Sequence, residues 1–369
     1  MSIRVSTPSR LCLFGEHLDY LSLEVITMAI DLRFYAQIEK RNDGKIVIEI
    51  KDSSIDTLNQ KNEFNKYEKI IFSCIDNIRY KSKRDYFKSS VNVIKKRGYD
   101  ISCGFNVKMD SEIPIGKGMC SSSTMIVAFI KAILEAIDAD IKNSKKDIVE
   151  LAYQAEVTEF NEPGGKMDHI ASVYGGICHF DFKDIDNPKV EKLIGIPQGD
   201  FILVDSKERK DTINVLKNAK QPVLVALQDT PTIREMYEKN NYLEKIKNID
   251  NKLRKPLLAA IDNYIILKKF LHDIKEENLS HNSFGEAIKK HHNNLRDGLN
   301  LSTKEIENIF NIAYNYGAIG GKINGSGGGG CCYIYTKSEN SKQIIEQLTK
   351  AGYPTKIVLP AEGVKVEEN

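Results

Sequence analysis

Residues 114–124 read PIGKGMCSSST, and the run TMIVAFIKAILEAI follows at 124–137. The apolar residues of this run fall on nearly all sides of a helix, which predicts a buried helix that starts near Ser123. Glycines before such a helix let the backbone fold closely around an anion, and the first amide groups and the helix dipole then point at it. The stretch predicts a phosphate-binding turn, although a capped helix after a surface turn explains it equally well.

A second polar cluster lies near the N-terminus, in the stretch PSRLCLFGEHLDY at residues 8–20. Glu16, His17 and Asp19 bring an acid, an imidazole and a second acid into four positions. Such groups accept and donate hydrogen bonds of the kind that several sugar hydroxyls require. The same residues are also a metal motif, but a zinc site would need a fourth ligand. We therefore favour hydroxyl recognition.

A glycine run, GSGGGG at residues 325–330, precedes the apolar run CCYIYT. It satisfies GxGxxG formally, but a dinucleotide-binding fingerprint leaves a strand and opens a helix, whereas here a strand is predicted to follow. The Walker A pattern is absent from the sequence as well. The glycine run therefore predicts a loop in which the backbone closely approaches another group, or else a tight turn.

The overall composition is that of an ordinary globular enzyme, with 41% hydrophobic and 28% charged residues. The 53 basic and 51 acidic residues give a formal charge of +2, which is no reason to expect nucleic acid or a membrane as partner. The seven cysteines include no CxxC pair, which favours free thiols over zinc or disulfides. The first residues are not typical of a signal peptide, and no apolar run reaches the length of a membrane span. We expect a cytoplasmic protein with small-molecule partners.

The length of 369 residues predicts two domains. A polar, proline-containing stretch at 184–200 places the boundary, which gives domains 1–195 and 196–369. The polar stretch 51–70 predicts a surface excursion that leads into a helix near 66–80. Periodicity and turn residues predict the other elements. These are strands at 24–38, 45–50, 103–109 and 201–206, helices at 146–160 and across 211–297, and a terminal strand–helix–strand.

In this order and spacing, the three segments resemble the GHMP kinase superfamily, which includes galactokinase, homoserine kinase, mevalonate kinase and phosphomevalonate kinase. The resemblance is closest to galactokinase. Two further stretches look like that family, one from Glu156 to Asp168 and one at residues 284–303. The resemblance implies an α+β fold of two domains, the N-terminal one similar to ribosomal S5 domain 2 and the C-terminal one ferredoxin-like, with the site between them.

The resemblance implies an ATP- and Mg²⁺-dependent kinase that phosphorylates the anomeric hydroxyl of a sugar, as a monomer or homodimer. Galactose is the default acceptor. Arabinose, a uronic acid or an N-acetylated amino sugar stay open, because Leu21-Ser22-Leu23 stands where galactokinases usually have Asn-Gly-Gly and residues 206–218 contain no tyrosine. Two alternatives are a sugar- and ATP-binding sensor without catalysis, and a mevalonate-type kinase, against which the acidic N-terminal cluster counts.

The resemblance also implies a role for each matching residue. Asp168 is the catalytic base, and Arg10 is its cationic neighbour, which would keep the carboxylate ionised. Ser122 and Glu156 are the implied Mg²⁺ ligands. The remaining assignments are acceptor binding by Glu16, His17, Asp19 and Gly165, and ATP binding by Gly116, Lys117, Gly118, Cys120, Ser121, Ser122, Ser123, Gly325 and Gly327.

A turn at 162–165 interrupts the helical pattern, and a short helix, KMDHIASVYG, is predicted at 166–175. Asp168 lies near the start of this helix. Lys166 and His169 flank it, and we expect both to be exposed helix residues rather than members of the site.

Overall fold

The structure is a computed structural model that describes residues 2–51, 67–75, 78–114 and 116–368. Its strands are β1 (Ile3–Phe14), β2 (Glu24–Lys40), β3 (Lys45–Lys51), β4 (Tyr67–Ser73), β5 (Phe105–Ser111), β6 (Ile177–Asp181), β7 (Lys189–Lys192), β8 (Asp200–Asp205), β9 (Gly320–Ile323), β10 (Cys331–Thr336), β11 (Thr355–Val358) and β12 (Lys365–Val366). Its helices are α1 (Tyr86–Lys96), α2 (Ser121–Ala136), α3 (Lys145–Tyr153), α4 (Met167–Tyr174), α5 (Thr212–Ala226), α6 (Ile233–Glu238), α7 (Tyr242–Ile246), α8 (Asn251–Lys275), α9 (His281–Asp297), α10 (Lys304–Asn315) and α11 (Ser338–Lys350).

The first sheet runs in the order β12-β1-β2-β5-β3-β4, with β6 also paired to β2, and β7 to β6. Its pairs are antiparallel except for β3 with β5, which is parallel. Helices α2 and α4 pack against β1 and β2, so these two strands are buried along most of their length. Because β1 ends at Phe14, it delivers the polar residues that follow to the edge of the sheet.

The second sheet is antiparallel throughout and runs in the order β11-β8-β10-β9. Its apolar residues pack with those of α10 and α11 in a second cluster. The glycine run joins β9 to β10, which confirms the prediction of a loop between elements that is followed by a strand. The strand predicted at 201–206 is β8, and the chain leaves it through residues 206–211 to enter α5.

The two sheets share one core. Helix α8 packs against β1 and β2 as well as against α5 and α9. The Phe14 ring at the end of β1 lies 4.5 Å from the Phe270 ring of α8 and 6.0 Å from the Phe284 ring of α9, measured between centroids. The end of the chain returns to the first sheet, where β12 pairs with β1. The division into 1–195 and 196–369 stays a prediction.

One predicted element is wrong. The helix expected near 66–80 is the strand β4, which pairs with β3 in antiparallel register. Ile70 and Phe72 are half-buried while Ile71 between them is exposed, so the apolar residues alternate with the period of a strand. Most of the predicted surface excursion, residues 52–66, lies outside the described residues. In the part of the chain that the structure describes, every helix is too short or too polar to cross a membrane.

Candidate active site

A cavity of about 320 Å³ lies where the residues after β1, the starts of α2, α4 and α5, and the glycine run meet. Two of the residues predicted to bind ATP, Lys117 and Gly327, are not among those that line it. The predicted site residues that do line it are Arg10, Glu16, His17, Asp19, Gly116, Gly118, Cys120, Ser121, Ser122, Ser123, Glu156, Gly165, Asp168 and Gly325.

The predicted phosphate turn ends at Cys120, which has a left-handed backbone and is the N-terminal cap of α2. Ser121, Ser122 and Ser123 form the first turn of α2 and line the cavity, and the amide groups at the start of a helix have no partner within the helix. Gly118 has φ +80°, and a Cβ at this position would collide with Lys210 Nζ and would lie 2.5 Å from the Asn324 carbonyl oxygen. A glycine is thus required where the turn meets the glycine run.

Arg10 and Asp168 form the centre of the site. Arg10 donates from Nε to Asp168 Oδ1 at 2.8 Å, and its Nη2 lies 2.7 Å from the same oxygen. The guanidinium also donates from Nη1 to the Gly118 carbonyl oxygen at 3.1 Å, which ties the pair to the phosphate turn. Burial alone would lower the pKa of Arg10, but Asp168 and other acidic neighbours outweigh it and raise that pKa. Arg10 is therefore a permanent cation beside the predicted base.

Glu156 lies in a π-helical turn, Gln154–Thr158, that continues α3. Such turns are often found at functional sites. Its Oε2 accepts hydrogen bonds from Ser123 Oγ at 2.6 Å and His169 Nε2 at 2.7 Å. Burial would raise the pKa of the Glu156 carboxyl, but hydrogen bonds from His169, Ser122 and Ser123 outweigh it and lower that pKa. One ionised carboxylate beside serine hydroxyls fits Mg²⁺, which takes few protein oxygens when phosphates and water complete its shell.

The first turn of α4 connects the two acidic groups. Asp168 points to Arg10, and the next residue, His169, points to Glu156. The expectation that Lys166 and His169 are exposed is wrong, since their exposed fractions are 5% and 1%. Lys166 pairs with Glu150 Oε2 at 2.8 Å. Both residues therefore fix the end of α4 that carries Asp168.

Asp19 lines the cavity and lies against the backbone of Gly165. A Cβ on Gly165 would collide with the Asp19 carboxylate, so the glycine is needed for this close approach. Burial and the negative charge of Asp168 raise the pKa of Asp19 to about 6. Among the described residues no cation forms an ion pair with Asp19, although Lys220 lies nearby with its Nζ 4.9 Å from the centre of the Tyr20 ring.

His17 has both ring nitrogens occupied. Its Nε2 lies 3.1 Å from the Ser326 carbonyl oxygen, and its Nδ1 lies 2.9 Å from the Tyr20 hydroxyl. Burial lowers the pKa of His17 to about 4, so the ring is neutral near pH 7. Because a carbonyl oxygen only accepts, Nε2 carries the proton and Nδ1 accepts from Tyr20. His17 therefore holds Tyr20 beside the cavity.

Glu16 ties the residues after β1 to the glycine run. One carboxylate oxygen pairs with the fully buried Lys322, and the other accepts from the backbone N–H of Gly325. A contact between Glu16 and an acceptor hydroxyl would have to share these oxygens. Asn324 reinforces the same junction, since its Oδ1 accepts from the Cys12 N–H and its Nδ2 donates to the Gly118 carbonyl oxygen.

Two predicted ATP-binding residues have other contacts. The Lys117 ammonium lies 3.0 Å from Asp205 Oδ1, at the end of β8, so its side chain is directed toward the second sheet. Gly327 packs against Leu301.

Sequence reasoning missed the cavity wall from α5, formed by Thr212, Ile213 and Leu216. No motif marks these residues, and only their helical spacing relates them.

Comparison with known proteins gives the family. Residues 85–176 match the family described as GHMP kinases N terminal domain, residues 270–354 match GHMP kinases C terminal, and residues 2–40 match the galactokinase galactose-binding signature. The protein belongs to the GHMP kinase family. It is therefore a phosphotransferase with the two-domain fold of that family, as the sequence motifs predicted.

Similar proteins of the family carry different names. This GHMP kinase is 26% identical over 374 residues to a mevalonate kinase of Thermococcus onnurineus, covering 100% of this chain and 99% of the relative. It is 27% identical over 375 residues to a D-glycero-alpha-D-manno-heptose 7-phosphate kinase of Campylobacter jejuni, covering 99% and 98%. The crystal structure of Lactococcus lactis galactokinase complexed with galactose superposes with a TM-score of 0.81 at 17% identity, covering 99% of this chain and 95% of that one.

Proposed function

We propose that this GHMP kinase transfers the terminal phosphoryl group of ATP, with Mg²⁺, to the anomeric hydroxyl of a monosaccharide, galactose or a related sugar, and releases the sugar 1-phosphate and ADP. The observation behind the acceptor class is Asp19, a buried carboxylate with no ion-pair partner among the described residues. A neutral polyol supplies hydroxyl donors to such a carboxylate, whereas an anionic acceptor would be repelled by its negative charge. The match of residues 2–40 to the galactose-binding signature supports the same choice.

The nucleotide phosphates would occupy the turn that precedes α2. Gly116 and Gly118 have left-handed backbones there, and the amide groups at the start of α2 would donate to the phosphates. In phosphoryl transfer the protein mainly positions the reactants and neutralises charge. A helix start of this kind would do both for the phosphates.

Ser122 and Glu156 are the residues that would hold Mg²⁺, which supplies charge neutralisation on the phosphates when it is bound. Ser123 and His169 hold one oxygen of Glu156 and so fix the orientation of its carboxylate. The hydrogen bonds that lower the pKa of Glu156 keep it ionised and able to ligate a cation.

Asp168 would orient the anomeric hydroxyl and accept its proton. Both donors from Arg10 use Oδ1 of Asp168, so Oδ2 is the oxygen that can face the hydroxyl. In a loose phosphoryl-transfer transition state the attacking oxygen needs little activation, so a carboxylate held beside a guanidinium is a sufficient base.

A mevalonate-type acceptor is the second candidate. The full-length similarity to the Thermococcus onnurineus mevalonate kinase favours it. Lys220 also favours it, because this lysine of α5 lies beside Tyr20 and is a cation that an acceptor carboxylate could use. The Lys220→Met variant should lose activity with mevalonate if that is the acceptor, and should change little with a neutral sugar.

The test is ADP release with MgATP and a panel of acceptors that contains galactose, arabinose, galacturonic acid, N-acetylgalactosamine and mevalonate. Release that depends on one of the sugars supports the proposal. Release that depends on mevalonate alone would replace the proposal with the second candidate. Nucleotide and sugar binding without any release would identify a sensor.

A further inference from the structure

Lys210 carries a buried ammonium that has no part in the phosphoryl transfer proposed so far. It lies in the segment 206–211 between β8 and α5, and its Nζ is buried with no hydrogen-bond partner among the described residues. Burying an ammonium that has no partner costs free energy, so such a group usually pairs with an anion. The position of Lys210 indicates which anion this is.

The Lys210 ammonium lies against Gly118, in the phosphate turn. A Cβ on Gly118 would collide with Lys210 Nζ, and the carbonyl oxygen of the same glycine accepts from Arg10 at 3.1 Å. Lys210 and Arg10 therefore approach one glycine of the turn. The segment that carries Lys210 is fixed at its start, because the Ser206 N–H donates to the Gly330 carbonyl oxygen at 3.1 Å and Asp205 pairs with Lys117.

The acidic groups near Lys210 are already engaged. The charged and titratable groups that face it are Arg10 from β1, Glu16 and the neutral His17 after it, Asp168 from α4, and Cys331 from β10. Asp168 is bound by Arg10, and Glu16 by Lys322. Cys331 is a buried thiol whose pKa burial raises, so it supplies no charge near pH 7. Around Lys210, the cations Arg10, Lys322 and Lys210 itself thus outnumber the ionised carboxylates of Asp168 and Glu16.

We propose that Lys210 is a further catalytic residue, whose ammonium donates to a non-bridging oxygen of the phosphoryl group while that group passes from ATP to the acceptor. The role rests on the proposed donor, ATP, and holds for either acceptor class. A cation fixed in a site from which water is excluded stabilises the charge on the transferring group without reorganisation. Lys210 and Arg10 would then add their positive charge to that of the amide groups of α2.

This role has a consequence for pH. Burial lowers the pKa of Lys210 to about 8 in the nucleotide-free protein. The pH dependence of kcat/KM reports the pKa values of groups in the free enzyme. The kcat/KM for ATP should therefore fall as the pH rises through about 8, because the Lys210 ammonium loses its proton. An arginine at this position keeps its charge throughout that range.

The experiment compares the binding of β,γ-methylene-ATP and ADP, each with Mg²⁺, by calorimetry between pH 7 and 9.5. It uses the wild type, Lys210→Met, Lys210→Arg and the matched control Lys207→Met, an exposed lysine of the same segment. We expect the wild type to prefer the triphosphate by about ten-fold or more at pH 7 and to lose much of that preference above pH 8. Lys210→Met should lack the preference, Lys210→Arg should keep it at high pH, and Lys207→Met should match the wild type.

A wild-type preference that does not change between pH 7 and 9.5 would overturn the role of Lys210, and this measurement needs no variant to fold. An unaltered preference in a folded Lys210→Met would overturn it as well. Wild-type protein that binds neither nucleotide would instead overturn the proposed donor, and the role of Lys210 with it.

Discussion

Arg10 and Asp168 are 158 positions apart in the chain, yet the Arg10 guanidinium makes two contacts with one oxygen of Asp168, at 2.8 Å from Nε and 2.7 Å from Nη2. Arg10 is almost fully buried, whereas Asp168 keeps 28% of its side chain exposed to the cavity. The carboxylate is thus held from inside the protein and presented to the cavity by its other oxygen. This arrangement makes Asp168 the residue on which turnover should depend most.

The Asp168→Asn variant should lose turnover by roughly 10²–10⁴-fold, the usual contribution of a general base. An amide keeps the shape of the side chain but does not accept the proton of the acceptor hydroxyl. Nucleotide binding should change little, because the proposed phosphate site is the turn before α2 rather than residue 168. Initial rates and the affinity for MgADP together check this, and a variant with wild-type turnover would show that Asp168 is not the base.

His169 should position Glu156, because its Nε2 lies 2.7 Å from Glu156 Oε2 inside the protein. The His169→Ala variant should need a roughly ten-fold higher Mg²⁺ concentration for half-maximal rate, since loss of a residue that orients a ligand costs about 10–100-fold in metal affinity. His169→Gln keeps an N–H donor and should recover part of the loss. Titration of the rate with Mg²⁺, and of MgADP binding by calorimetry, measures the effect.

The control for this experiment is another histidine–glutamate pair of the chain, in which His292 Nε2 lies 2.8 Å from Glu307 Oε1. His292→Ala should lower the free energy of unfolding by about 1–3 kcal/mol without changing the Mg²⁺ requirement. If both alanine variants shift the Mg²⁺ requirement equally, His169 has no positioning role.

Asp19 should confer a pH dependence on acceptor binding. Its pKa is raised to about 6, so the carboxylate is ionised at pH 7 and able to accept hydrogen bonds from acceptor hydroxyls, but becomes protonated as the pH falls through about 6. The ratio kcat/KM for the acceptor should therefore decrease below pH 6. In Asp19→Asn this decrease should be absent and kcat/KM should be low at every pH, because a buried hydroxyl-binding carboxylate is lost.

The same raised pKa predicts the effect of Asp19 on stability. A carboxyl that holds its proton more tightly when folded loses stabilisation as the pH rises from about 4 to about 6. In the absence of ligand, Asp19→Asn should thus be more resistant to urea than the wild type at pH 7, and similar to it at pH 4. A variant that is less stable at pH 7 would mean that the hydrogen bonds from the backbone N–H groups of Tyr20 and Met167 outweigh the cost of burying the carboxylate.

Gly118 should tolerate no side chain. A Cβ there would lie 2.5 Å from the Asn324 carbonyl oxygen, and the backbone has φ +80°. Gly116, with φ +71°, is the matched control, because a Cβ there would meet no described atom within 4 Å. Both alanine variants should lose about 1–2 kcal/mol to the left-handed backbone. Gly118→Ala should be destabilised further and lose MgADP affinity. Equal urea midpoints for the two variants would contradict the collision.

The sequence predicts well which residues line the cavity, but it predicts poorly the buried contacts that hold them in place. Arg10, Ser122 and Asp168 belong to short sequence motifs, and the order of residues within each motif is enough to predict which side chains line the cavity. The burial of His169 could not be predicted this way, because it depends on the π-helical turn that brings Glu156 across from α3. A helix of eight residues gives too short a pattern to show that both of its sides are covered.

The burial of Lys210 could not be predicted from the sequence either. The stretch SKERKD is highly charged and is typical of an exposed connection, so nothing in it distinguishes Lys210 from the exposed Lys207. Only the packing of the segment against the phosphate turn and the glycine run buries the ammonium of one of these lysines. The strand β4 is likewise hidden, because its pairing with β3 is a long-range contact, whereas the helix expected there rested on local pattern alone.

The most direct test of the central claim is the position of the phosphate in the product formed with MgATP and the sugar that supports ADP release. Proton-coupled ³¹P NMR of that product should show a phosphorus signal split by the anomeric proton, as in a sugar 1-phosphate. A product phosphorylated at any other carbon, or phosphomevalonate as the only phosphorylated product from the acceptor panel, would contradict the assignment of this GHMP kinase as a sugar 1-kinase.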